Sequence, residues 1–509
     1  MRALSEAFAA YRWAPSTEVL ARQAELDPLQ IVRFDGNVPA QPPSVARPGT
    51  IAAALAEVNG YAHGGFGALV AAIASSAGVE AENVVLGAGA DDLILLCARA
   101  FAGPGDSVAI SESPTYPLYR IAAHLAGAEV GGGAPALTFC CRPNNPTGML
   151  GELPAARPLV VDEAYFEYAG ETAAPLIGEG VVVLRTFSKA FGLAGARVGY
   201  ALADFDTAAE LNRRQDPQPI SNLSAELALA ALREPPDVTW QIEERERCAS
   251  ALRALGLDPL PSATNFLFVP AAEPETLGSA LLRSGVVVRV FPDGFRFSVR
   301  DREDDDLLLE ALARALDRPP PVAPAASRRV RRVRATAETR IRVRLGLDGA
   351  GRVRVATGAG LYDHLLEQLA FHAGLDLVLE GVGDLETGPH HTAEDAALAL
   401  GAALDDVLGE RRGIARYGDA VVPMDDALAR AAVDLGGRPA AEVRLERDPG
   451  LATHVLGSLA QAGRLAIHVE ASGRDEHHVA EAAFKAVGRA LRAAVQVESD
   501  GIPSTKGLL

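Results

Sequence analysis

A short pattern that occurs twice in the last third of the chain constrains this sequence more than any other feature. The first copy, HHTAE, spans residues 390–394, and the second copy, HHVAE, spans residues 477–481. Residues four apart lie on the same side of a helix, so each copy directs a histidine and a glutamate at one point. Histidine and carboxylate are preferred ligands of borderline divalent metals. Two copies therefore predict a site that binds two metal ions.

The similarity between the two copies extends into their surroundings. Each copy follows a strand-like run, DLVLEGV or RLAIHVEA, and continues into small and apolar residues at helical spacing. This arrangement indicates an internal duplication of a strand-helix unit. Adjacent residues on a helix diverge by roughly 100°, so the two histidines of one copy are better placed to serve two different ions. Eight of the ten histidines lie after residue 363, which favours a site over surface histidines scattered by chance.

A change of composition marks a domain boundary. The chain has 509 residues, too many for a single hydrophobic core. Residues 317–334, DRPPPVAPAASRRVRRVR, begin with prolines that favour an extended spacer and end with arginines that alternate with valine as in a first strand. We therefore predict one domain over residues 1–316, a linker over residues 317–330 and a second domain over residues 331–509. Nucleic-acid binding is the alternative interpretation of the arginine run, and the formal net charge of −18 opposes it.

Bulk properties favour a cytoplasmic enzyme. No stretch approaches 18 consecutive apolar residues, and the N-terminal segment lacks the basic start and apolar core of a signal peptide. We expect small-molecule substrates and neither a nucleic-acid nor a membrane partner.

The first domain alternates strand-like apolar runs with amphipathic stretches, which predicts an α/β fold with a mostly parallel sheet. Three of these runs end in polar residues, near Asn145, Asp162 and Lys189. Ligands of such sheets bind beyond the carboxyl ends of the strands, so we expect these residues to surround one pocket. A lysine that forms a Schiff base, a carboxylate for a pyridinium nitrogen and donors for a phenolic oxygen are what pyridoxal phosphate requires.

The motifs NNPTG, DEAYF and TFSKAFGLAGARVGY occur in this order, and with them residues 10–315 resemble the fold-type I pyridoxal phosphate aminotransferases, in particular the histidinol-phosphate aminotransferases. The resemblance implies that Lys189 carries the cofactor, that Asp162 pairs with its ring nitrogen, and that Asn145 and Tyr165 hold its ring hydroxyl. It also implies that Tyr116 stacks on the ring. The phosphate is expected to be bound by Gly89, Ala90, Ser188 and Arg197, with Tyr61 reaching in from a partner subunit.

The same resemblance assigns two substrate-binding arginines. Arg296 binds the substrate α-carboxylate, and Arg289 favours a phosphorylated substrate. Ala88 and Ala90 stand where the family commonly has asparagine and serine, and GNVPA replaces N-E-N-P. The spacing of Gly87 and Gly89 does not continue into a dinucleotide fingerprint, because Asp92 occupies the third glycine position.

Residues 331–509 resemble imidazoleglycerol-phosphate dehydratase through LYDHLLEQLAFH, GDLETGPHHTAED, DEHHVAEAAFKAVGRAL and PSTKG. The resemblance implies two Mn²⁺ ions per site, each with three histidines and one glutamate, drawn from His364, His390, His391, Glu394, His454, His477, His478 and Glu481. It also implies substrate contacts through Glu338, Arg416, Arg438, Ser504 and Lys506. Glu338 is a candidate for proton transfer.

The chain is thus expected to be an α/β fold-type I aminotransferase domain followed by an α+β dehydratase domain with duplicated strand-helix halves. The dehydratase converts imidazole glycerol phosphate to imidazole acetol phosphate, and the aminotransferase converts that ketone, with glutamate, to L-histidinol phosphate. A homo-oligomer is expected. Two alternatives stay open for the first domain: it acts on a different amino acid or phosphorylated substrate, or it is a degenerate scaffold.

Overall fold

A computed structural model describes residues 8, 10–11, 13–40, 43, 45, 55, 58–131, 134–321, 328–349, 351–498 and 501–503. The chain divides into two compact units, Met1–Val322 and Ala323–Leu509. We refer to them as unit 1 and unit 2.

Unit 1 is built on a seven-stranded sheet in the order β2-β8-β7-β6-β5-β3-β4. Its strands are β2 (Val84–Gly87), β3 (Ser107–Ile110), β4 (Glu129–Val130), β5 (Leu137–Cys141), β6 (Leu159–Asp162), β7 (Val181–Thr186) and β8 (Gly199–Leu202). Neighbouring strands from β7 to β4 pair in parallel, and only β2 and β8 introduce antiparallel pairing. Every residue of β5, β6 and β7 is buried, as expected for a parallel sheet covered on both faces.

Helices cover both faces of this sheet and form a smaller lobe beside it. They are α1 (Thr17–Ala24), α2 (Gly67–Ala77), α3 (Ala90–Phe101), α4 (Leu118–Ala126), α5 (Phe166–Ala169), α6 (Phe205–Arg214), α7 (Asn222–Arg233), α8 (Thr239–Ala254), α9 (Pro274–Arg283) and α10 (Arg302–Ala315). The lobe packs α8, α9 and α10 with an antiparallel sheet of order β11-β12-β9. Its strands are β9 (Phe266–Pro270), β11 (Arg289–Phe291) and β12 (Gly294–Ser298), and a short parallel pair joins β1 (Val32–Arg33) to β10 (Val286–Val287).

Unit 2 contains the same arrangement twice, as the duplicated sequence pattern predicts. Its first sheet has the order β13-β14-β16-β15 and its second the order β17-β18-β20-β19. In each sheet an antiparallel hairpin is followed by a strand that pairs in parallel with the last strand. The strands are β13 (Arg329–Ala335), β14 (Thr339–Gly346), β15 (Val353–Ala356), β16 (Asp376–Gly383), β17 (Tyr417–Met424), β18 (Ala427–Asp434), β19 (Ala440–Leu445) and β20 (Ala466–Ser472).

Four helices of unit 2 carry the residues that connect the two halves. They are α11 (Leu361–Ala373), α12 (His390–Leu408), α13 (Ala452–Gly463) and α14 (Glu476–Ala494). Helix α12 packs against α13 and helix α11 packs against α14, so each contact joins a helix of one half to a helix of the other. Both halves share one hydrophobic core. The predicted fold class is confirmed, and the shared core places the two histidine-rich helix starts in one compact unit.

Among the described residues, no helix combines the length and apolar character needed to cross a membrane.

The close approach of α14 to α11 depends on Gly488. A Cβ atom at this position would overlap the backbone carbonyl oxygen of Leu369. Gly488→Ala should therefore lower the unfolding free energy of unit 2 by about 1–3 kcal/mol, because neither backbone can yield without moving a packed helix. Thermal and denaturant unfolding followed by circular dichroism would measure the loss.

Gly457 on α13 supplies the matched control, because a Cβ atom there meets no other atom within 4 Å. Gly457→Ala should be neutral or stabilising by up to about 1 kcal/mol, through helix propensity alone. Equal effects of the two substitutions would contradict the packing argument.

Candidate functional sites

The carboxyl ends of three neighbouring strands bring the predicted residues of unit 1 together. Asp162 is the last residue of β6, Asn145 follows β5, and Lys189 follows β7. The strands lie in the order β5-β6-β7, with Cys141 beside Asp162 and Asp162 beside Leu184 in the register. Parallel strands present their carboxyl ends at one sheet edge, which is why residues spread over some 45 positions of sequence meet.

Asp162 is a buried carboxylate with defined partners. It is 4% exposed, and its Oδ2 accepts a hydrogen bond from the Tyr119 hydroxyl at 2.7 Å. Its Oδ1 accepts from the backbone N–H of Ala164 at 3.0 Å. Burial raises the pKa of Asp162 to about 6, although both hydrogen bonds oppose that increase.

Lys189 lies close to this carboxylate and to the ring of Tyr165. Its Nζ is 5.7 Å from the centre of that ring. Burial, reinforced by the nearby Arg296, lowers the pKa of Lys189 from 10.5 to about 8. A lysine amine with this pKa is available as a nucleophile close to neutral pH, whereas an ordinary lysine is almost fully protonated.

Tyr165 and Asn145 are each held by a residue from another part of the chain. The Tyr165 hydroxyl accepts a hydrogen bond from Asn37 Nδ2 at 2.9 Å, and burial raises the pKa of Tyr165. Asn145 Oδ1 accepts a hydrogen bond from Arg296 Nη1, and Arg296 Nη2 donates to the carbonyl of Asp35 at 2.9 Å. The sequence interpretation missed Asn37, although its place in GNVPA and its left-handed backbone, φ 52°, suit an asparagine.

The predicted phosphate-binding residues lie at the start of α3. Gly89 is its N-cap with φ 87°, and Ala90 is its first residue. A Cβ atom on Gly89 would approach Arg197 Nη2 to 2.8 Å, so only glycine leaves this space open. Arg197 is exposed and pairs with Asp91 Oδ2 at 3.0 Å. The nearby Ser188 hydroxyl accepts a hydrogen bond from Thr186 Oγ1 at 2.9 Å.

Tyr116 contacts the predicted phosphate-binding region at the start of α3. Its hydroxyl donates to Asp91 Oδ1 at 3.0 Å, and burial is the main reason that the pKa of Tyr116 is raised. Tyr61 is not brought to the site within one chain, because it is 78% exposed and borders a separate hollow with Phe66 and Asn222.

The two predicted substrate arginines are neighbours on adjacent strands. Arg289 on β11 is the register partner of Arg296 on β12, and its charge contributes to a lowered pKa of Arg296, for which burial is the main cause. Arg289 is exposed, whereas Arg296 is 7% exposed. Two cations at this spacing favour an anionic ligand.

The donor set of this site fits pyridoxal phosphate with a carboxylate-bearing substrate. A nucleophilic amine, a buried carboxylate, a glycine-lined helix start and paired cations are all present. Three buried polar atoms near Arg296 have no hydrogen-bond partner among the described residues: Asn37 Oδ1, Asn265 Oδ1 and Arg296 Nε. Buried polar atoms without partners are costly, so these atoms are suited to a polar ligand.

In unit 2, six of the eight predicted metal ligands form two clusters. In each cluster the possible ligand atoms lie within 4.8 Å of one another, and the members are His364, His477 and Glu481 in one and His390, Glu394 and His454 in the other. Glu481 Oε2 lies 3.2 Å from His477 Nε2 and 3.7 Å from His364 Nε2. Glu394 lies 3.8 Å from His390 Nε2 and 3.5 Å from His454 Nε2.

Each cluster is shared between the two halves of unit 2. In one cluster, helix α14 of the second half supplies His477 and Glu481, and α11 of the first half supplies His364. In the other cluster, helix α12 of the first half supplies His390 and Glu394, and α13 of the second half supplies His454. Histidine and carboxylate ligands at this spacing fit a divalent transition-metal ion such as Mn²⁺ or Zn²⁺.

The remaining two predicted ligands, His391 and His478, point to other partners. His391 Nδ1 lies 2.9 Å from Asp384 Oδ2 and 3.6 Å from Glu338. His478 Nδ1 lies 2.6 Å from Asp426 Oδ1. Within one chain each cluster therefore holds two histidines and one glutamate, one histidine fewer than the family resemblance implies. The angle of roughly 100° between consecutive helical residues separates each histidine from its neighbour.

Lys485 is a member of the site that the sequence interpretation missed. Its Nζ lies 2.9 Å from Glu481 Oε1, one helical turn along α14. A signal was available: the chain contains only three lysines, Lys189, Lys485 and Lys506, and each falls in one of the motifs quoted above.

Two of the predicted phosphate-binding residues of unit 2, Arg416 and Arg438, lie among the described residues. Arg416 pairs with Asp434 at 2.8 Å and donates to the carbonyl of Pro503 at 3.0 Å. Arg438 is exposed. Ser504 and Lys506 lie outside the described residues.

Comparisons with known proteins assign both units. The family model for aminotransferase class I and II matches residues 31–134 and 132–312, and the model for imidazoleglycerol-phosphate dehydratase matches residues 357–491. Imidazoleglycerol-phosphate dehydratase of Salinispora arenicola is 47% identical over 205 residues, covering 36% of this chain and all of that protein. The enzyme of Methanothermobacter thermautotrophicus is 48% identical over 190 residues, covering 36% of this chain and 98% of that protein.

The chain belongs to two families, aminotransferases of class I and II and imidazoleglycerol-phosphate dehydratases. The sequence-based prediction of both families is thereby confirmed. Histidinol-phosphate aminotransferase from Sinorhizobium meliloti, solved with pyridoxal-5′-phosphate, has 25% identity and a TM-score of 0.54, covering 61% of this chain and 99% of that one. Aspartate aminotransferase of Thermotoga maritima shares the fold at 20% identity and a TM-score of 0.50, covering 59% and 94%.

The buried amine of Lys189 predicts a pH-dependent penalty on the cofactor-free protein. Below pH 8 the folded state holds a charged amine in a buried position, and the penalty is fully present there. It disappears as the pH rises from 8 to 10.5, because in that window the unfolded chain binds the additional proton. Lys189→Met should therefore raise the unfolding free energy of unit 1 at pH 7 by about 1–3 kcal/mol, with a shrinking gain above pH 8.

Denaturant unfolding of cofactor-free protein at pH 7, 8 and 9.5 would measure this effect. Lys485→Met is the matched control, since its amine is paired with Glu481 in unit 2 and the substitution should give no such gain. A gain for Lys189→Met that does not change with pH would contradict the interpretation.

Proposed function

We propose that the chain catalyses two successive reactions. Unit 2 dehydrates imidazole glycerol phosphate to imidazole acetol phosphate, and unit 1 transaminates this ketone with glutamate to L-histidinol phosphate. One observation carries the proposal: the donor sets for both chemistries occur in a single chain, and the ketone made by the first is the type of substrate required by the second. The proposed catalytic domains are residues 1–316 and 331–509, joined by the linker 317–330.

In unit 2 the two clusters would each hold one Mn²⁺ ion. Bound cations supply Lewis acidity, which stabilises negative charge developing on an imidazole ring whose side chain carries no activating carbonyl. Glu338 lies in the turn between β13 and β14, 3.6 Å from His391, where its exposed carboxylate can accept or donate a proton. Arg416, Arg438, Ser504 and Lys506 are the proposed partners of the substrate phosphate.

In unit 1 the proposed cofactor is pyridoxal phosphate, which supplies an electron sink for the bond changes at the substrate carbon. Lys189 would hold it and would move the proton at the substrate carbon through Nζ. Asp162 would hold its ring nitrogen, Asn145 and Tyr165 would hold its ring hydroxyl, and Tyr116 would cover its ring. Gly89, Ala90, Ser188 and Arg197 would hold its phosphate.

Substrate recognition in unit 1 is assigned to the paired arginines. Arg296 is buried and binds the α-carboxylate of glutamate, and Arg289 is exposed at the mouth, where it binds a substrate phosphate. A different amino acid or phosphorylated substrate for unit 1 is the competing proposal. The fold alone does not choose between the two, because an aspartate aminotransferase of Thermotoga maritima shares it.

A homo-oligomer is part of the proposal, because neither site is complete in one chain. His391 and His478 are turned away from the clusters of their own chain and are partly exposed, so they would supply the missing ligands to a neighbouring copy. Tyr61 would likewise extend into the site of a partner subunit.

The first test supplies purified protein with imidazole glycerol phosphate, glutamate, pyridoxal phosphate and manganese. Histidinol phosphate should form, detected by mass spectrometry. Lys189→Ala should stop the reaction at imidazole acetol phosphate, since the amine that binds the cofactor is lost. His391→Ala should prevent formation of the ketone, yet leave its amination intact when the ketone is supplied. Absence of both products from wild-type protein would contradict the proposal, and amination of another ketone in its place would favour the competing substrate.

The second test concerns the shared metal ligands. His390→Ala breaks a cluster inside its own chain, whereas His391→Ala removes a ligand proposed to act in a neighbouring copy. Each variant alone should lack dehydratase activity. Co-expressed in one oligomer they should recover up to about one quarter of it, because random pairing reunites an intact cluster with an intact His391 in that share of sites. No recovery in a mixed oligomer, verified with two different affinity tags, would show that His391 acts within its own chain.

A further inference from the structure

Tyr119 contacts Asp162 but is not among the residues proposed above to hold the cofactor. It lies on α4 and is fully buried. Its ring stacks on Phe139 of β5, with ring centres 5.2 Å apart and planes at 19°. Phenylalanine would make the same contact, so the ring alone does not explain why the residue is a tyrosine.

The hydroxyl of Tyr119 explains why the residue is a tyrosine and not a phenylalanine. It donates to Asp162 Oδ2 at 2.7 Å, while the backbone N–H of Ala164 donates to Oδ1 at 3.0 Å. One donor on each oxygen fixes the rotation of the carboxylate about its last bond. Donors directed at a carboxylate also favour its charged form over its protonated form.

The ring of Tyr119 makes a second contact that points to the same site. It meets the ring of Tyr116 edge to face, with centres 5.8 Å apart and planes at 82°. Tyr116 is held at its other end by Asp91, which also pairs with Arg197. Tyr119 therefore touches both the carboxylate proposed for the edge of the cofactor ring and the aromatic side chain proposed for its face.

We propose that Tyr119 is a positioning residue of the pyridoxal phosphate site, fixing the orientation of Asp162 through its hydroxyl and that of Tyr116 through its ring. This inference rests on the proposed function of unit 1. It assigns to Tyr119 no contact with the substrate and no proton transfer.

The expected effect of removing the hydroxyl has a definite sign. Burial raises the pKa of Asp162 and the Tyr119 hydrogen bond lowers it, so Tyr119→Phe should raise it further. Asp162 would then lose its charge at a higher pH. Among the described residues, the titratable or charged groups that interact with Asp162 are Asp91, Tyr116, Tyr119, Cys140, Cys141, Tyr165 and Lys189.

The experiment measures the dissociation constant of pyridoxal phosphate for full-length, cofactor-free protein by equilibrium dialysis between pH 6 and 9. Tyr119→Phe should weaken binding about tenfold at pH 7, the effect of losing one charge-assisted hydrogen bond. The pH below which affinity falls should move upward. Tyr119→Leu, which also removes the contact with Tyr116, should weaken binding further.

A double-mutant cycle separates positioning from a general effect on packing. In an Asp162→Asn background, Tyr119→Phe should weaken binding much less than it does in wild-type protein, because the charged acceptor is already absent. Tyr200→Phe is the control, since Tyr200 is a buried tyrosine of β8 whose ring packs on Phe187 and whose hydroxyl faces Arg185. It should leave the dissociation constant unchanged.

Three results would overturn the positioning role: wild-type affinity in Tyr119→Phe, the same loss with and without the Asp162 carboxylate, or an equal loss in Tyr200→Phe. Failure of the wild-type chain to bind pyridoxal phosphate at all would be a different outcome. It would refute the proposed function of unit 1, on which the role of Tyr119 depends.

Discussion

The angular offset between consecutive residues of a helix decides which helices of unit 2 supply the members of each cluster. Because His390 and His391 diverge by roughly 100°, only the first can face Glu394 on the same helical stripe. The third member of that cluster, His454, comes from another helix, α13 of the opposite half. The other cluster has the same arrangement, with His477 and Glu481 from the second half and His364 from the first. Each half is thus incomplete without the other.

Close helix packing is what permits this exchange of ligands. Gly488 lets α14 approach the backbone of α11, and Gly401 does the same between α12 and α13, where a Cβ atom would lie 2.5 Å from the carbonyl of Leu459. The two glycines lie in equivalent helices of the two halves. Each is 11 residues after the first histidine of its helix, His390 or His477. The geometry of the proposed metal clusters and the core packing therefore depend on the same helix contacts, so a larger residue at either glycine would disturb both.

Sequence reasoning succeeded where a residue's role follows from local order and failed where it depends on distant contacts. The family, the duplicated halves and the three strand ends near Asn145, Asp162 and Lys189 were all predictable, because strand order and helical spacing are local properties. Asn37 was missed, because its contact with Tyr165 joins residues 128 positions apart. The exclusion of His391 from its own cluster was foreseeable from the helical offset, but its pairing with Asp384 was not. Arg416 pairs with Asp434 in one chain, so its role in binding phosphate stays a prediction.

The distribution of basic residues adds a chemical argument for the two sites. Of the 48 basic side chains other than histidine, three are lysines, and the rest are arginines. Arginine is better suited than lysine to bidentate anion binding, yet it cannot lose its proton at any pH a protein experiences. Even a chain that uses arginine almost everywhere needs a lysine wherever an amine must act as a base or nucleophile. Lys189, whose pKa is lowered by burial to about 8, meets that requirement through its environment. Lys485 keeps its proton instead, because its ammonium group is paired with Glu481 of one of the two clusters.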